Sequence, residues 1–370
     1  MKKALVLILA LVLCFSLIAG CAGDTSTGSG DAAGSGNAAG SGDAAGSGDA
    51  AGSTGEVYNL VYSHTNNETS STHYYGEWIM EKLNELVPGR FTYTGYSNGQ
   101  LGADRENIEG VQNGDVTMTM SSTAPQANFV TEVETLDLAF VWNNAEAARK
   151  TMADDRYLSI MREAYAAKGF YLNHFIDTQF RISTTDTLEA HTPDDFKGFN
   201  MRTMENANHM LLWSSLGANP TPIAYTELYT ALQQGTVRGQ ENPYENVSVK
   251  KFYEVQDYII GSNHVYMANA IIVNLDWFNN LDEECKAAYI EACDYAYGKF
   301  HEFVDASIDT YKQEFIDYGC TVYDLTPDEM ALFQAKTQPL FDQVKANMEA
   351  INSPAYDVLL EVAAEANAAA

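Results

Sequence analysis

Arg202 is the side chain in this sequence best suited to hold an anion. It closes a short predicted strand that reads Gly-Phe-Asn-Met-Arg-Thr from Gly198 to Thr203. A guanidinium is a planar fork that gives a carboxylate two parallel, charge-assisted hydrogen bonds. Arg181 is a second cation near a strand, and His64 and His264 stand at predicted strand ends, where open α/β sheets bind ligands. The chain has 21 Lys and Arg against 50 Asp and Glu, a net charge of −29. That balance argues against nucleic acid and against flat binding to anionic lipid. It also repels an anionic ligand at long range, so an acid-binding site must be locally basic, and each Arg near a strand end is a candidate. Catalytic signatures are missing: there is no Gly-x-Ser-x-Gly elbow, no His-Glu-x-x-His helix and no Walker loop. The carboxylates are too scattered to pick a catalytic pair by spacing. The histidines run from His64 to His301 without a local cluster, and Asp282-Glu283-Glu284 reads as the acidic first turn of a helix. A binding protein is expected, not an enzyme, with no cofactor and no metal.

The elements that must position these groups alternate between strand and helix. Val57–Ser63 is a β-rich apolar run, followed by a polar loop to Thr72. A helix then places Tyr75, Trp78, Ile79, Leu83 and Leu86 on one face. Phe91–Tyr96 reads as a strand, and Asp115–Ser121 alternates Val116, Met118 and Met120 with threonines in a half-buried strand pattern. A helix with Tyr157, Leu158, Met161, Ala164 and Tyr165 on one side leads into the strand Phe170–Phe175. This rhythm builds a mostly parallel sheet covered on both faces. A second unit begins near Gln179, with helices from about Glu205 to Leu216 and from Thr226 to Gln234, the latter stopped by Gly235. The strand Ala268–Asn274 returns to the first unit. A long helical stretch, Asp282 to about Tyr318, precedes the strand Thr321–Asp324. Thr326-Pro327-Asp328-Glu329 is a strong helix start, with a Thr cap, a first-turn Pro and a Glu three residues after the cap.

Six segments, in order, resemble the solute-binding proteins of TRAP transporters, the DctP-type family. They are Ser97–Glu106 with its Gln-Leu-Gly, Gln112–Asp115, Leu136–Phe140 (Ala139 where a proline is usual), the stretch from Gly198 to Pro243, Lys250–Gln256 and Asn263–Tyr266. The resemblance covers nearly all of residues 57–362. It implies a two-lobed, periplasmic-binding-protein-like α/β fold with hinge strands and a long helix spanning both lobes. The lobes are expected at 56–178 with 268–307, and at 179–267 with 308–370. It further implies that a small organic acid, a C4-dicarboxylate or another carboxylate, pairs with Arg202 in the interlobe cleft. Arg181 and Asn242 would assist, the lobes would close, and small and large TRAP membrane subunits would receive the ligand. Tyr225 stands where relatives place an aromatic against the ligand, although core packing accounts for it equally well. Ser122 takes the place of an acid that in some relatives reads an amine or hydroxyl, which suggests a ligand without a cationic group. Arg238 replaces the usual Asp: either a cation has been added near the site or a surface contact has changed sign. The rival readings are an ABC-type substrate-binding lipoprotein and a surface-anchored hydrolase.

The N-terminus reads as an address. Lys2 and Lys3 precede an apolar run from Ala4 to Ala19, too short for an ordinary spanning helix. Leu17-Ile18-Ala19-Gly20-Cys21 resembles a lipobox, which implies a lipoprotein signal peptide over 1–20 and a lipid on Cys21. From Gly28 to Ala51 the chain repeats Gly-Ser-Gly-Asp-Ala-Ala, so 21–55 is expected to be a flexible tether spanning roughly 30–35 Å. The expected location is extracytoplasmic, held to the membrane through that lipid alone. Cys285 and Cys293 sit eight residues apart in one predicted helix, about 12 Å along its axis, too far to pair. With Cys320 they are expected as buried thiols.

Overall fold

The computed structural model describes residues 55–370. The expected signal peptide, the Cys21 anchor and the tether up to residue 54 lie outside them. The described strands are β1 (Tyr58–Ser63), β2 (Phe91–Tyr96), β3 (Met118–Ser122), β4 (Phe170–Thr185), β5 (Asn200–Thr203), β6 (Asn219–Pro222), β7 (Gly239–Asn242), β8 (Tyr258–Asn274) and β9 (Thr321–Asp324). They join in one sheet in the order β2-β1-β3-β8-β4-β7-β5-β6, with β9 on β8. At each end the strands pair parallel, β1 with β2 and β3, and β5 with β6 and β7. The connection between the ends is antiparallel, through β3 on β8, β8 on β4 and β4 on β7. The expectation of a mostly parallel sheet therefore holds for the two ends and fails for the strands that join them.

Those joining strands are long: β4 has 16 residues and β8 has 17. The sequence suggested shorter strands because polar residues interrupt the apolar pattern. Several of these polar groups meet distant partners, as where Asn173 donates to the Tyr289 hydroxyl at 2.7 Å. The β4–β8 register slips between Leu172 and Phe175, between Asp177 and Phe180, and between Arg181 and Ser183. Gln179 takes φ 74° in the middle of these slips. Such bulges bend a strand and re-aim its side chains, and here they lie where the chain passes from one half of the sheet to the other. β3 departs from the half-buried expectation, since all five of its residues are buried.

The long helix runs Glu283–Tyr318, 36 residues. Asp282 caps it by accepting from the Cys285 N–H at 2.9 Å, and Gly319 ends it at φ 111°. Its first half packs along the Ser71–Leu86 helix with Tyr289 and Phe300 in that core. Its last turns bury Phe315 among Tyr244, Tyr253 and Phe252 in a separate core that includes Ile182 of β4 and Ile259 of β8. It thus ties both ends of the sheet together. The C-terminal helix Ala355–Ala369, expected with the second lobe, lies on the helices Ala145–Ala153 and Asp155–Ala166. Its stripe of Leu359, Val362, Ala363 and Ala366 is buried there, and Asn367 donates to the Val141 carbonyl at 2.8 Å. Cys285 and Cys293 are buried thiols, and the buried Cys320 donates to the Tyr253 and Gln256 carbonyls. Among the described residues no helix is long and apolar enough to cross a membrane.

Candidate functional site

Arg202 sits in β5, opposite Thr221 of β6, and is 1% exposed. Its Nε donates to the Ile223 carbonyl at 2.8 Å, which fixes the plane of the guanidinium. Its Nη1 is buried and has no partner. Burial lowers this guanidinium to about 10; Glu241 opposes that shift and the Arg181 charge adds to it. A buried cation with an unmet donor is costly, and an anion that meets the donor removes that cost.

Arg202 forms part of the wall of a cavity that is partly open to solvent. Asn242, Tyr225 and Ser122 line it too, as the sequence suggested. Asn242 ends β7, and its amide donates to Gln240 Oε1 at 2.5 Å while its oxygen accepts from Asn246 at 3.3 Å. Tyr225 is half-buried, with its hydroxyl 3.4 Å from the Asn246 carbonyl and its ring edge-on to Phe252. Ser122 ends β3, with its hydroxyl on the Met267 sulfur at 3.7 Å.

The other three candidates stand elsewhere. Arg181 is fully buried and is claimed by Glu241: Nη2 lies 2.9 Å from Oε1, and further bonds reach Oε2 and the Glu241 carbonyl. His264 bonds Ser262 at 2.8 Å and Glu241 Oε2 at 3.2 Å, and burial lowers its basicity. His64 faces His73 at 3.2 Å, and burial pushes it down to about 3, so it is a neutral ring. None of the three lines the main cavity; Arg181 borders a small pocket beside it, behind Ser122 and Met267. Arg238 resolves to the surface alternative, reaching Asp186 at 3.0 and 3.2 Å and covering the Phe199 ring.

Several lining residues escaped the sequence reading. Asp104, the first residue of the helix Asp104–Asn113, stands right after the Gln-Leu-Gly segment and looks like an ordinary acidic helix start. Enclosed by protein along the cavity wall, its carboxyl is raised to about 6 by desolvation, with Thr65 and Arg202 opposing that rise. Asn246 lies one helical turn after Asn242, a spacing that could have flagged it. Asn269 reaches the site only because it pairs with Ser122 across β3 and β8, which no local signal reveals. Gly99 has φ 69°, and a Cβ there would come within 2.8 Å of Thr226 Cγ2. Among the described residues no group of His, Cys, Asp and Glu is arranged to hold a metal.

The family model described as bacterial extracellular solute-binding protein, family 7 (DctP), matches residues 62–347. The chain is 34% identical over 212 residues to a solute-binding protein of Verminephrobacter eiseniae, covering 57% of this chain and 63%, less than two thirds, of that protein. It is 32% identical to the C4-dicarboxylate-binding periplasmic protein DctP of Rhodobacter capsulatus, covering 67% of this chain and 75% of that one. In structure it is similar to the sugar acid binding protein DctPAm of Advenella mimigardefordensis in complex with galactonate. That match has TM-score 0.80 and 26% identity, covering 84% of this chain and 99% of the other.

Proposed function

The chain belongs to family 7 of the bacterial extracellular solute-binding proteins, the DctP group, and from that premise we propose that it captures a small organic acid at Arg202 and delivers it to the membrane subunits of a TRAP transporter. The observation that carries this reading is the buried guanidinium at the cavity wall, whose Nη1 is the one buried arginine nitrogen without a partner among the described residues. A carboxylate placed there would supply the missing acceptor. Enclosure would strengthen that pair and exclude neutral analogues. The related proteins named for C4-dicarboxylates and sugar acids support a carboxylate ligand. In the same reading Arg181 acts at a distance, holding Glu241 beside Asn242, and His264 holds the far side of Glu241. The lipid on Cys21 and the tether behind it would keep the body near the membrane subunits. The lobes would divide at the bulged stretch of β4 and β8.

Titration calorimetry with a panel of carboxylates tests the assignment. Arg202→Ala should weaken the best ligand by about 2–5 kcal/mol, the range for truncating one partner of a buried charge pair. A loss below tenfold, about 1.4 kcal/mol, would remove Arg202 from the site.

A further inference from the structure

Two oxygens in the cavity wall, one on Asp104 and Oδ1 of Asn66, accept no hydrogen bond from the described residues. Its walls hold one cation, Arg202, and two carboxylates, Asp104 and Glu205. Arg181 is consumed by Glu241. Lys250 stays outside the wall, half-buried with its ammonium 5.4 Å from the centre of the Tyr225 ring, and only partly offsets Asp104. Asn66 spends its amide N–H on Thr72 Oγ1 at 3.0 Å, while its Oδ1 is buried with no partner. Asp104 accepts one hydrogen bond, from Thr65 at 3.0 Å on Oδ1, and no bond reaches its second oxygen from the described residues.

We propose that the ligand is a polyhydroxy monocarboxylate, an aldonate-type acid, whose carboxylate meets Arg202 and whose hydroxyls donate to Asp104 and Asn66, and that this far wall rejects dicarboxylates. The inference rests on Arg202 being the carboxylate site. A hydroxyl can donate to both vacant acceptors and still accept from a neighbouring amide. An ionised second carboxylate only accepts, so it leaves Asn66 Oδ1 unmet and meets the like charge of Asp104. Sites built to hydrogen-bond a hydroxyl discriminate strongly against analogues that lack it, because their buried polar groups are then left unpaired. Asp104 is thus a specificity-determining residue, and Arg202 alone would not tell the two acid classes apart.

Calorimetry with D-gluconate, D-galactonate and D-erythronate against succinate and fumarate tests this at pH 7.5. The best aldonate should bind at least tenfold more tightly than the best dicarboxylate. Asp104→Asn removes the charge and adds a donor at nearly constant shape. It should shrink that ratio at least tenfold, with succinate gaining and the aldonate losing. A dicarboxylate that binds as tightly as the best aldonate overturns the proposal, as does an unchanged ratio in a folded Asp104→Asn protein. Should the variant fail to fold, the wild-type ratio decides. If every carboxylate fails to bind the wild-type protein, the Arg202 reading falls, and this inference with it. Aldonate preference lost with dicarboxylate binding intact would leave the Arg202 reading standing.

Discussion

Glu241 sets the charge balance behind the cavity. It receives Arg181 and His264 directly, and His209 Nδ1 lies 3.7 Å from its Oε1 while His209 Nε2 lies 3.5 Å from Asp137. Both His209 distances are long for hydrogen bonds, so the ring is held mainly by the two negative charges. Despite burial, the Asp137 and Glu241 carboxylates raise it to about 9. His209 is therefore an imidazolium at neutral pH, and Glu241 is held well below the usual carboxylate range despite its burial, chiefly by Arg181. For His209 the folded value exceeds the unfolded 6.5. Its contribution is then full below pH 6.5 and is lost as pH rises through about 9. Stability should fall by a few kcal/mol across that window, order of magnitude, and thermal melts of His209→Asn should be flat there by comparison. Equal slopes in both proteins would mean that another group controls the alkaline limb. Arg181 is matched by Glu241 while Arg202 Nη1 has no partner among the described residues, and that contrast is why Arg202 rather than Arg181 is proposed as the ligand-binding cation.

The clasp between the helix Ser71–Leu86 and the helix Tyr244–Val249 acts at the scale of elements. Glu245 accepts from the Ser71 N–H at 2.7 Å and from its hydroxyl at 2.8 Å, both in the first turn of the first helix. A carboxylate there also meets the positive end of the helix dipole. Asn67 adds a bond to the Val249 carbonyl at 2.8 Å. These contacts bridge the two sides of the cavity beyond Asn246, so they should favour the closed form. Glu245→Ala is expected to raise ligand dissociation about tenfold in stopped-flow while leaving association nearly unchanged, as when a closed state loses differential stability. A lower melting temperature with unchanged dissociation would make the clasp a purely structural contact. The sequence did not reveal it, because Glu245 and Ser71 are far apart in the chain and both look like ordinary helix-start residues. What was legible was local: the Phe91–Tyr96 strand, the Thr326 cap with Glu329, and the Asp282 start and Tyr318 end of the long helix. The full lengths of β4 and β8 were not, because Asp177 is satisfied by Arg149 and His301, partners that only the folded sheet brings near. In the cavity the same division holds. Arg202, Asn242 and Asp104 all stand in motifs, but Asp104 reads there as a helix start, and Asn269 reaches the cavity wall only through the pairing of β3 with β8.

At the scale of the whole molecule, a chain with net charge −29 is proposed to collect anions. The rim repeats the problem, since Glu106, Glu205 and Glu227 border the shallow opening beside Gly102 and Pro222. Two ranges of electrostatics then compete. The repulsion comes from many exposed charges and acts over tens of ångströms in dilute salt. The attraction comes from Arg202 and acts over a few ångströms inside protein, where ions do not screen it. The Debye length falls from about 30 Å at 0.01 M to about 8 Å at 0.15 M, so added salt removes the repulsion first. Association of an anionic ligand should therefore speed up, several-fold between about 10 and 300 mM salt, while dissociation changes little. Stopped-flow at several ionic strengths checks this. Association that slows with salt would mean that a positive field at the mouth, which the exposed glutamates argue against, governs the encounter. The expected acceleration would instead show that selection for an acid begins only after entry, where one guanidinium with an unmet donor outweighs the charge of the surface around it.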